Sequence, residues 1–539
     1  MQIPETIPEL VQDAARRYSN RVAVEDGEVS LTFRELSFAA LRATAAFMAS
    51  GVKRGDRVAI WAPNYHEWIV AAVGAQGAGA ALVPLNTRFK AAEAGFVLDT
   101  SRARILCTVG NFLGTDYLEL LAREYGGPSG SRPIGGLPHL ERVVVLRGEA
   151  AGADAFDAFL ARGEHVRSDQ VEARARSVAA DDLSDILFTS GTTGKPKGVM
   201  TTHAQNLRAF SSWTDVTGLR EGDRYLVVNP FFHAFGYKAG WLSCLLRGAT
   251  ILPHAVFDVG AVLARIARDR VTVLPGPPTL YHSLLSHPEL ATFDRSSLRL
   301  AVTGAASIPV ELIRRMRQEL GFDTVITGYG LTEACGIATM CRFDDDLETI
   351  ATTSGRAIPD VEVRIVAESG KLAPPNEPGE VVVRGYNVMK GYFEEPAQTA
   401  EVIDADGFLH TGDIGVLDVS GNLKITDRKK DLFIVGGFNF YPAEIENAML
   451  AHPALAQVAV IGVPDPRLGE VGVAFVVLRP GQTALPDEIV TFCRERMANY
   501  KVPRAVEIVT SLPTNAAGKV TKYVLRARGA ALAASSSAA

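Results

Sequence analysis

The sequence predicts an α/β protein in which sheets packed with helices fill most of the chain and a small α+β domain follows. Short apolar or β-branched runs alternate with helical segments near the N-terminus, as in RVAIWAP, HEWIVAAVGAQGAG, AALVPL, KAAEAGFVLDT and ARILCTV. This alternation is typical of βαβ units and a largely parallel sheet. The length of 539 residues suits three to four domain-sized units of about 150 residues each.

The alternation continues beyond a Gly/Pro/Ser-rich loop at 126–138, with strands predicted at LSDILFT, ATILPH, TVLPGPPT, LRLAVTGAAS and TVITGYG. After Ser354 the shorter strands VEVRIV, GEVVVRG and GNLKITD indicate a β-rich subdomain. Beyond the charged stretch DRKKD, two helices and the strands QVAVIGV and VGVAFVVL form a separate α+β domain of ordinary size. The low-complexity end, RGAALAASSSAA, predicts a disordered tail.

Composition and charge exclude several classes of protein. Lys and Arg number 55 against 61 Asp and Glu, and no polybasic block occurs, so a nucleic-acid-binding surface is not expected. The five cysteines are scattered without a C-x-x-C pair, which argues against a disulfide framework or a zinc site and for packing roles in a reducing cytoplasm. The start of the chain does not resemble a signal peptide. The apolar window from Trp68 to Leu85 is rich in Ala and Gly, and predicts a buried helix and strand rather than a membrane span.

The most informative stretch is TSGTTGKPKG, which follows a predicted strand. Its glycines and hydroxyl residues can wrap phosphate oxygens with backbone N–H groups and side chains, while Lys195 and Lys197 add positive charge. It is not a Walker A loop, because Pro196 follows Lys195 and the glycine spacing differs. By composition alone, an ordinary turn fits this stretch as well as a phosphate site does.

Three more stretches carry residues suited to nucleotide chemistry. YGLTE follows the strand TVITG, so an aromatic ring, a hydroxyl and a carboxylate emerge at a strand's carboxyl end, where such sheets bind ligands. HTGD offers an acid suited to a ribose diol, and PTNAAGK presents Lys519 near the end of the chain. Taken singly, Tyr329 fits a core residue, Glu333 a helix N-terminal acid, Asp413 a turn residue and Lys519 a surface lysine.

Taken together and in this order, TSGTTGKPKG, YGLTE, HTGD, DRKKD, GGFNFYPAEIE and PTNAAGK resemble the core motifs of the adenylate-forming superfamily. That superfamily includes acyl-CoA synthetases, peptide-synthetase adenylation domains and firefly luciferase. The resemblance implies a large N-terminal domain of several subdomains, here 1–428, and a small mobile C-terminal domain, here 429–527, followed by the tail at 528–539. It also implies ATP and Mg²⁺ as cofactors and coenzyme A as a cosubstrate.

The resemblance assigns the two steps of the reaction to particular residues. An acid and ATP give an acyl-adenylate and pyrophosphate, and a thiol then takes the acyl group and releases AMP. Lys519 would bridge the carboxylate and α-phosphate, Thr332 would bond the α-phosphate and Glu333 would ligate Mg²⁺. The nucleotide would be held by Thr189, Ser190, Gly191, Thr192, Thr193, Gly194, Lys195, Lys197, Gly328, Tyr329, Gly330, Asp413 and Arg428.

The resemblance further implies that the small domain rotates between the two steps. Lys430 would be the hinge, and Gly436 and Gly437 would leave room for the pantetheine arm of the thiol. Two stretches of the sequence would contact the acid. NPFFHAFGYKAG brings aromatic rings and places His233 near the carboxylate, and Gly304, Ala305 and Ala306 form an opposite wall with room for a bulky group.

NPFFHAFGYKAG, VLPGPPTLYHSLL, GYGLTEACGIATMCR and VGGFNFYPAEIE resemble the actinobacterial CoA ligases that activate the bicyclic indane propanoate left after steroid rings A and B are degraded. Medium- or long-chain fatty acids and aryl acids are alternative substrates, and an acyl-adenylate loader of a carrier protein is an alternative function. A catalytically silent acyl-nucleotide binding module and a P-loop kinase or ATPase are more distant alternatives.

Lys238 is predicted to be a paired helix residue, with a contact to a polar group of the acid as the alternative. Asp344, Asp345 and Asp346 predict a solvated loop rather than a metal site. The oligomeric state stays open, a dimer included.

Overall fold

The computed structural model describes residues 3–128, 133–189, 196–304, 308, 310–428, 433–435, 438–440, 442–465, 469–495, 497, 501–514 and 520–536. Over these residues it forms four sheets and eighteen α-helices, numbered below in chain order. In the described part of the chain, no helix is long and apolar enough to cross a membrane. The window from Trp68 to Leu85 instead contributes a buried helix and a buried strand to the core, as predicted.

The first sheet carries Gly304, Gly328 and Tyr329 of the predicted site. Its strands are β1 (Val22–Asp26), β2 (Val29–Thr32), β10 (Arg224–Val227), β11 (Thr250–Pro253), β12 (Leu300–Gly304), β13 (Thr324–Tyr329), β14 (Thr339–Met340) and β15 (Arg356–Ala357). β10, β11, β12 and β13 have parallel neighbours. The strand predicted at TVLPGPPT is reduced to Val273, which bridges β10 and β12. The prolines that follow it lack the N–H group that a longer ladder requires.

The second sheet is parallel at its centre. Its strands are β3 (Arg57–Trp61), β4 (Ala81–Pro84), β5 (Ile105–Thr108), β6 (Arg142–Val145), β7 (Asp154–Ala155), β8 (Leu183–Thr189), β9 (Lys197–Thr202) and β18 (Gly391–Tyr392). β8 and β9 form an antiparallel hairpin at one side, and β18 adds to β9. This hairpin flanks the glycine-rich loop, because β8 ends where the loop begins and β9 begins where the loop ends.

The predicted β-rich subdomain is an antiparallel third sheet. It consists of β16 (Val361–Val366), β17 (Gly379–Gly385), β19 (Leu409–Leu417) and β20 (Leu423–Arg428). The fourth sheet belongs to the C-terminal part and consists of β21 (Phe433–Val435), β22 (Phe438–Phe440), β23 (Leu455–Asp465), β24 (Gly469–Leu478) and β25 (Ala505–Ile508).

The helices pack on both sides of the first two sheets and on the fourth. They are α1 (Ile7–Tyr18), α2 (Phe33–Ala49), α3 (His66–Gly77), α4 (Ala91–Ser101), α5 (Tyr117–Tyr125), α6 (Phe156–Ala161), α7 (Ser168–Arg176), α8 (His203–Thr217), α9 (Ala234–Gly236), α10 (Ser243–Arg247), α11 (Val259–Arg268), α12 (Pro278–Leu285), α13 (Val310–Arg315), α14 (Leu347–Thr352), α15 (Pro396–Val402), α16 (Pro442–Leu450), α17 (Pro486–Arg494) and α18 (Lys522–Ser536). A π-helical turn at Tyr237–Leu242 joins α9 to α10. α8 begins at a capping box in which Thr202 and Gln205 each accept a backbone N–H of the other.

The hydrophobic core is divided at the predicted domain boundary. One continuous core extends in sequence from Ile7 to Leu423, whereas separate cores on the fourth sheet begin at Phe433 and Ala459. The boundary between 428 and 429 stays a prediction, and this division supports it. The prediction of a disordered tail from residue 528 is wrong as far as Ser536, because α18 includes these residues. Alanine has the highest helix propensity, and Leu525 of this helix is buried.

Candidate active site

Three of the predicted site residues, Gly304, Gly328 and Tyr329, lie at the carboxyl ends of β12 and β13. Gly304 and Gly328 are register partners at these ends. A Cβ atom on Gly304 would lie 2.6 Å from the carbonyl oxygen of Gly328, so glycine lets the two strands approach closely here. A Cβ atom on Gly330 would lie 2.2 Å from the carbonyl oxygen of Gly336. Bare backbone therefore surrounds Tyr329 at the position where a ligand would reach the sheet.

Tyr329 and Asp413 meet across two sheets. The Tyr329 hydroxyl donates a hydrogen bond of 2.6 Å to Asp413 Oδ2, although the two residues come from β13 and β19. Asp413 is buried, and its Cα partner on β20 is Arg428. The structure thus brings together the predicted adenine-stacking ring and the predicted ribose-binding carboxylate, with the backbone of Arg428 beside them.

The HTGD segment is held by its neighbours on β17. The Thr411 hydroxyl donates to the carbonyl oxygen of Val381 at 2.7 Å and accepts from the Asp413 N–H at 3.1 Å. The Gly412 N–H donates to Glu380 Oε1 at 3.3 Å, and Gly412 has a φ of +70° that favours glycine. These contacts fix the backbone that carries Asp413, and none of them involves the carboxylate that accepts from Tyr329.

Glu333 lies in a 3₁₀ turn, Thr332–Ala334, directly after the strand that ends at Tyr329. Its carbonyl oxygen accepts from the Met389 N–H at 2.9 Å, and its Oε1 accepts from the Tyr392 hydroxyl at 3.0 Å. Burial, and then the carboxylate of Glu333, raise the pKa of Tyr392 well above its usual range. The tyrosine therefore stays protonated and donates to the carboxylate.

Tyr392 connects the Glu333 carboxylate to the β8–β9 hairpin, which flanks the glycine-rich loop and is called the phosphate hairpin below. It is the register partner of Val199 on β9, and the Lys197 ammonium lies 4.9 Å from the centre of its ring. The sequence reasoning missed Tyr392, because the stretch KGYF has no acid, base or glycine spacing that by itself indicates phosphate or metal chemistry. Only the pairing of β18 with β9 brings it to Glu333.

Removing the Tyr392 hydroxyl tests this contact. In Tyr392→Phe, Glu333 loses the donor that orients it, so we expect the apparent affinity for Mg²⁺ in the presence of ATP to fall by about 10–100-fold. Isothermal titration of metal into the protein with bound nucleotide measures this directly. Tyr125→Phe is a matched control, since that hydroxyl contacts a carbonyl oxygen on the far helix α4. Equal metal affinity in Tyr392→Phe and the unaltered protein would contradict the assigned role.

The glycine-rich loop is described at its two ends only. Thr189 and Lys197 are register partners that close the β8–β9 hairpin. The predicted phosphate-binding residues between them lie outside the described residues, as do several other predicted site residues and the side chain of Arg428. They are Ser190, Gly191, Thr192, Thr193, Gly194, Lys195, Ala305, Ala306, Lys430, Gly436, Gly437 and Lys519. Their assigned roles stay predictions.

The segment 229–240, predicted to bind the acid and called the acid segment below, is held in place by hydrogen bonds to Asn64. The sequence did not indicate this role for Asn64. Its amide nitrogen donates to the carbonyl oxygens of Val227 and Asn229 at 3.0 and 2.9 Å, and its Oδ1 accepts from the Phe231 N–H at 2.7 Å. A Cβ atom on Gly236 would lie 2.2 Å from the carbonyl oxygen of Pro230, so the turn closes on bare backbone. The segment is a fixed wall rather than a free loop.

His233 begins α9, and its Nδ1 accepts from the Phe235 N–H at 3.3 Å. The residue is exposed to solvent, yet the protein atoms around the ring desolvate it and lower the pKa of His233 below its usual value. The imidazole is therefore neutral at neutral pH, which suits a position beside an incoming carboxylate without a permanent ion pair.

The aromatic rings of this segment divide into two groups. Phe231 and Tyr237 are fully buried and pack on Trp68, with ring centroids 5.5 and 6.1 Å from its ring. Phe232 and Phe235 are partly exposed. The first pair therefore belongs to the core, and only Phe232 and Phe235 are accessible enough to be candidates for contact with an acid.

Lys238 is paired, as predicted. It is fully buried, and its ammonium lies 3.0 Å from Oδ1 of the equally buried Asp185. Asp345 pairs with Arg356, and Asp346 caps α14, so the acidic loop at 344–346 serves structure. All five cysteines are buried and unpaired in disulfides.

One acidic cluster away from the site has the spacing of a metal centre. Asp26, His66 and Glu67 bring their ligand atoms together, and they form such a group within the described ranges. The Arg147 guanidinium already pairs with both carboxylates of this cluster and stacks on the Tyr65 ring at 3.9 Å. A guanidinium in this position takes the place of a cation, so the cluster is an internal ion-pair network.

Comparisons with known proteins match this geometry. Residues 11–393 match the AMP-binding enzyme family, and residues 444–519 match the AMP-binding enzyme C-terminal domain. The chain belongs to the AMP-binding enzyme family. A Rhodococcus jostii protein named 3-[(3aS,4S,7aS)-7a-methyl-1,5-dioxo-octahydro-1H-inden-4-yl]propanoyl:CoA ligase is 50% identical to this chain. The match covers 97% of this chain and 98% of that protein. A Mycobacterium tuberculosis protein of the same name is also 50% identical, over 97% of this chain and 99% of its own.

Solved structures of the family show the same fold. The crystal structure of the anthranilate CoA ligase AuaEII in complex with anthranoyl-AMP has a TM-score of 0.86, with 28% identity over 99% of each chain. The predicted α/β fold with a large N-terminal and a small C-terminal domain is therefore confirmed. The resemblance to the adenylate-forming enzymes, and to the ligases of the bicyclic propanoate, is confirmed as well.

The residues around Glu333 fit Mg²⁺ by their chemistry. Thr332, Glu333 and Tyr392 offer only oxygen atoms, which are the ligands that hard divalent cations prefer. The carboxylate is fixed by Tyr392 before any cation arrives.

Proposed function

We propose that this protein is an ATP-dependent, AMP-forming acyl-CoA ligase whose acid is a hydrophobic bicyclic propanoate with ring ketones. The observation that carries the proposal is the 50% identity, over nearly the full length of both chains, to two ligases named for that acyl group. The described site supports it, because Gly304 and Tyr329 end two adjacent strands and the turn with Thr332 and Glu333 follows closely after the second. Coenzyme A is the proposed acceptor.

The chemistry of the first step explains why cationic groups surround the phosphates. A carboxylate oxygen attacks the α-phosphorus of ATP, and the bond from that phosphorus to the pyrophosphate oxygen breaks. Lys197, the loop 190–195 and Lys519 would stabilise the negative charge that develops on the α-phosphate and on the departing pyrophosphate. Mg²⁺, when bound, neutralises part of the phosphate charge. Thr332 would donate to an α-phosphate oxygen.

The second step needs less charge stabilisation and more room. The thiolate sulfur of coenzyme A attacks the acyl carbon, and the bond from this carbon to the AMP oxygen breaks. We propose that the small domain turns at Lys430 to bring Gly436 and Gly437 to the thiol, while Tyr329, Asp413 and Arg428 keep hold of AMP. The nucleotide side of the site thus serves both steps.

The exposed surface of the acid segment suits a rigid apolar acid. Phe232 and Phe235 leave part of their rings accessible, and Gly304 keeps the opposite strand end free of a side chain. A fused bicyclic acid buries a large apolar area at little cost in conformational entropy, because its rings are already rigid. A flexible fatty acid of equal carbon number must lose rotational freedom to bind the same walls.

A panel of acids tests the substrate. Purified protein with Mg-ATP and coenzyme A is given the bicyclic diketone propanoate, octanoate, ferulate and anthranilate, and AMP, ADP, pyrophosphate and acyl-CoA are resolved. We expect kcat/KM for the bicyclic acid to exceed the others by about 10²-fold, the range that apolar pocket fit provides. Preference for a fatty or aryl acid would overturn the substrate and leave the ligase reaction standing. ADP as product would overturn the reaction itself.

The same assay distinguishes the acceptor. Acyl-adenylate and pyrophosphate without acyl-CoA, followed by acyl transfer to a pantetheine-bearing carrier protein, would replace coenzyme A with that carrier. Stoichiometric acyl-CoA and AMP from coenzyme A alone is the result that we expect.

A further inference from the structure

A buried polar network joins the acid segment to the phosphate hairpin. Its centre is the ion pair between Lys238 and Asp185, two residues that are both fully buried. Asp185 belongs to β8, four residues before Thr189 opens the phosphate loop. Its register partner on β9 is Thr201, four residues after Lys197 closes the loop. Lys238 lies five residues after His233, so the pair connects the two halves of the site below the surface.

The Lys238 ammonium contacts both strands of the hairpin. It lies 3.0 Å from Asp185 Oδ1 on β8, and it donates to the Thr201 hydroxyl on β9 at 3.0 Å. The same Thr201 hydroxyl donates to Asp185 Oδ1 at 2.7 Å. One cation of the acid segment therefore contacts side chains on both strands whose ends flank the loop.

The other oxygen of Asp185 is also held. Asn206 of α8 donates to Asp185 Oδ2 at 2.7 Å, and the Tyr237 hydroxyl, next to Lys238 in sequence, donates to the same oxygen at 3.5 Å. Gln76 of α3 donates to the Tyr237 hydroxyl at 2.9 Å. Two consecutive residues of the acid segment thus hold one carboxylate of the hairpin, and residues from two further elements fix its orientation.

The backbone at Lys238 departs from an ordinary helix. The residue lies in the π-helical turn Tyr237–Leu242, in which Gly240 has a φ of −85° and a ψ of −108°. Wider turns of this kind are frequent at functional sites. The Ser243 hydroxyl donates to the Lys238 carbonyl oxygen at 2.9 Å. The wide turn places Lys238 and its neighbour Tyr237 on the same carboxylate.

Stability alone does not account for such a network. A buried ion pair commonly stabilises a fold no better than apolar residues of the same volume. Here two buried acceptors of the network, Gln76 Oε1 and Asn206 Oδ1, have no hydrogen-bond partner among the described residues. Burying the two charges also costs desolvation energy, which an apolar core would not carry.

We propose that the Lys238–Asp185 pair positions the acid relative to the α-phosphate of ATP by fixing the acid segment against the phosphate hairpin. The inference rests on the proposed ligase function. Lys238 touches no reacting atom, and it acts through the positions of His233 and of the loop ends. It matters for adenylation, in which acid and ATP are separate molecules, and not for thioester formation, in which the acyl group is already bonded to AMP.

Lys238→Met is the first test, because methionine keeps an unbranched apolar stem and removes the charge. We expect kcat/KM for the acid in adenylation, measured by pyrophosphate exchange, to fall by about 10²-fold, the size of effect that a misplacement of about 1 Å can cause. The rate of thioester formation from supplied acyl-adenylate and coenzyme A should not change. The variant should also unfold at lower denaturant concentration, since Asp185 is left unpaired.

The double variant Lys238→Met with Asp185→Asn separates positioning from stability. It removes both charges, so we expect much of the lost stability to return while adenylation stays slow. Arg299→Met is a matched control: Arg299 donates to the buried Asp223 at 2.8 Å, at the amino end of β12 and far from Gly304. That variant should lose stability and keep its kinetic constants for the acid.

The outcomes distinguish this inference from the proposed function. A double variant with full adenylation, or a Lys238→Met variant that slows both half-reactions equally, would overturn the positioning role while the unaltered protein still made acyl-CoA. Absence of acyl-adenylate in the unaltered protein would overturn the proposed function, and this inference with it. Slow adenylation with normal thioester formation in both Lys238 variants is the result that supports it.

Discussion

Lys519→Ala is expected to slow acyl-adenylate formation by about 10²–10³-fold, equivalent to about 2.7–4 kcal/mol of transition-state stabilisation, the loss typical of one preorganised charge-stabilising donor. The reason is that Lys519 is proposed to contact oxygens of both the carboxylate and the α-phosphate while charge develops between them. Rapid-quench measurement of acyl-adenylate and pyrophosphate in the absence of coenzyme A isolates this step.

A neighbouring lysine provides the control for this variant. Lys522 lies in α18, and its ammonium pairs with Glu446 Oε1 at 2.8 Å within the small domain. Lys522→Ala should therefore adenylate at the normal rate. The prediction also requires that Lys519→Ala convert supplied acyl-adenylate to acyl-CoA at close to the normal rate. A normal adenylation rate in Lys519→Ala would show that the assignment is wrong.

Glu333→Gln has the second large expected effect. Glutamine keeps the shape of the side chain and one acceptor oxygen, but it removes the charge that makes the group a good ligand for Mg²⁺. We expect adenylation at fixed Mg-ATP to fall by about 10²-fold, comparable with the loss of a charge-stabilising group elsewhere. Excess Mg²⁺ should restore part of the rate, because affinity for the cation is what is lost.

Metal binding can be read separately from activity in this variant. Titration of Mn²⁺ followed by paramagnetic resonance, in the presence of ATP, should show weaker binding in Glu333→Gln than in the unaltered protein. The exposed Glu377 offers a control substitution to glutamine with the same change of charge. Normal Mn²⁺ affinity together with normal adenylation in Glu333→Gln would remove this residue from the metal site.

The sequence predicted the elements that follow from local pattern. The βαβ alternation, the strand before the glycine-rich loop and the strands of the C-terminal part appear where apolar periodicity puts them. The pairing of that strand with β9 was not predicted. The strand expected around Val273 shrank to one bridging residue, because successive prolines have no N–H to donate. The tail was mispredicted because its low complexity suggested disorder, whereas its alanines favour a helix that packs on β23.

The site could be predicted where its residues belong to one motif, and not where they come from several elements. Tyr329 and Glu333 follow from their place after a strand. Tyr392 and Asn64 do not, because a tyrosine or an asparagine gives no functional signal until strand pairing brings it to a partner. The complete burial of Phe231 and Tyr237 could not be predicted from the motif either, because tertiary packing decides which rings of a tight turn are buried.

The same limit explains Lys238. A charged residue in an apolar run predicts a buried partner, and the structure supplies it. The identity of that partner, Asp185 on β8, could not be predicted from either stretch of sequence alone. The interest of the pair lies in what the two stretches carry, since one contains the predicted acid segment and the other flanks the phosphate loop.

The central claim is that the acid is activated by a bond to AMP, and isotope transfer tests it most directly. The preferred acid, labelled with the heavy oxygen isotope at both carboxylate oxygens, is converted to acyl-CoA with ATP, and the released AMP is analysed by mass spectrometry. The proposed chemistry leaves one labelled oxygen on the phosphate of AMP, since the thiol displaces AMP together with the oxygen that attacked phosphorus. Unlabelled AMP, or ADP together with labelled inorganic phosphate, would contradict an acyl-adenylate intermediate.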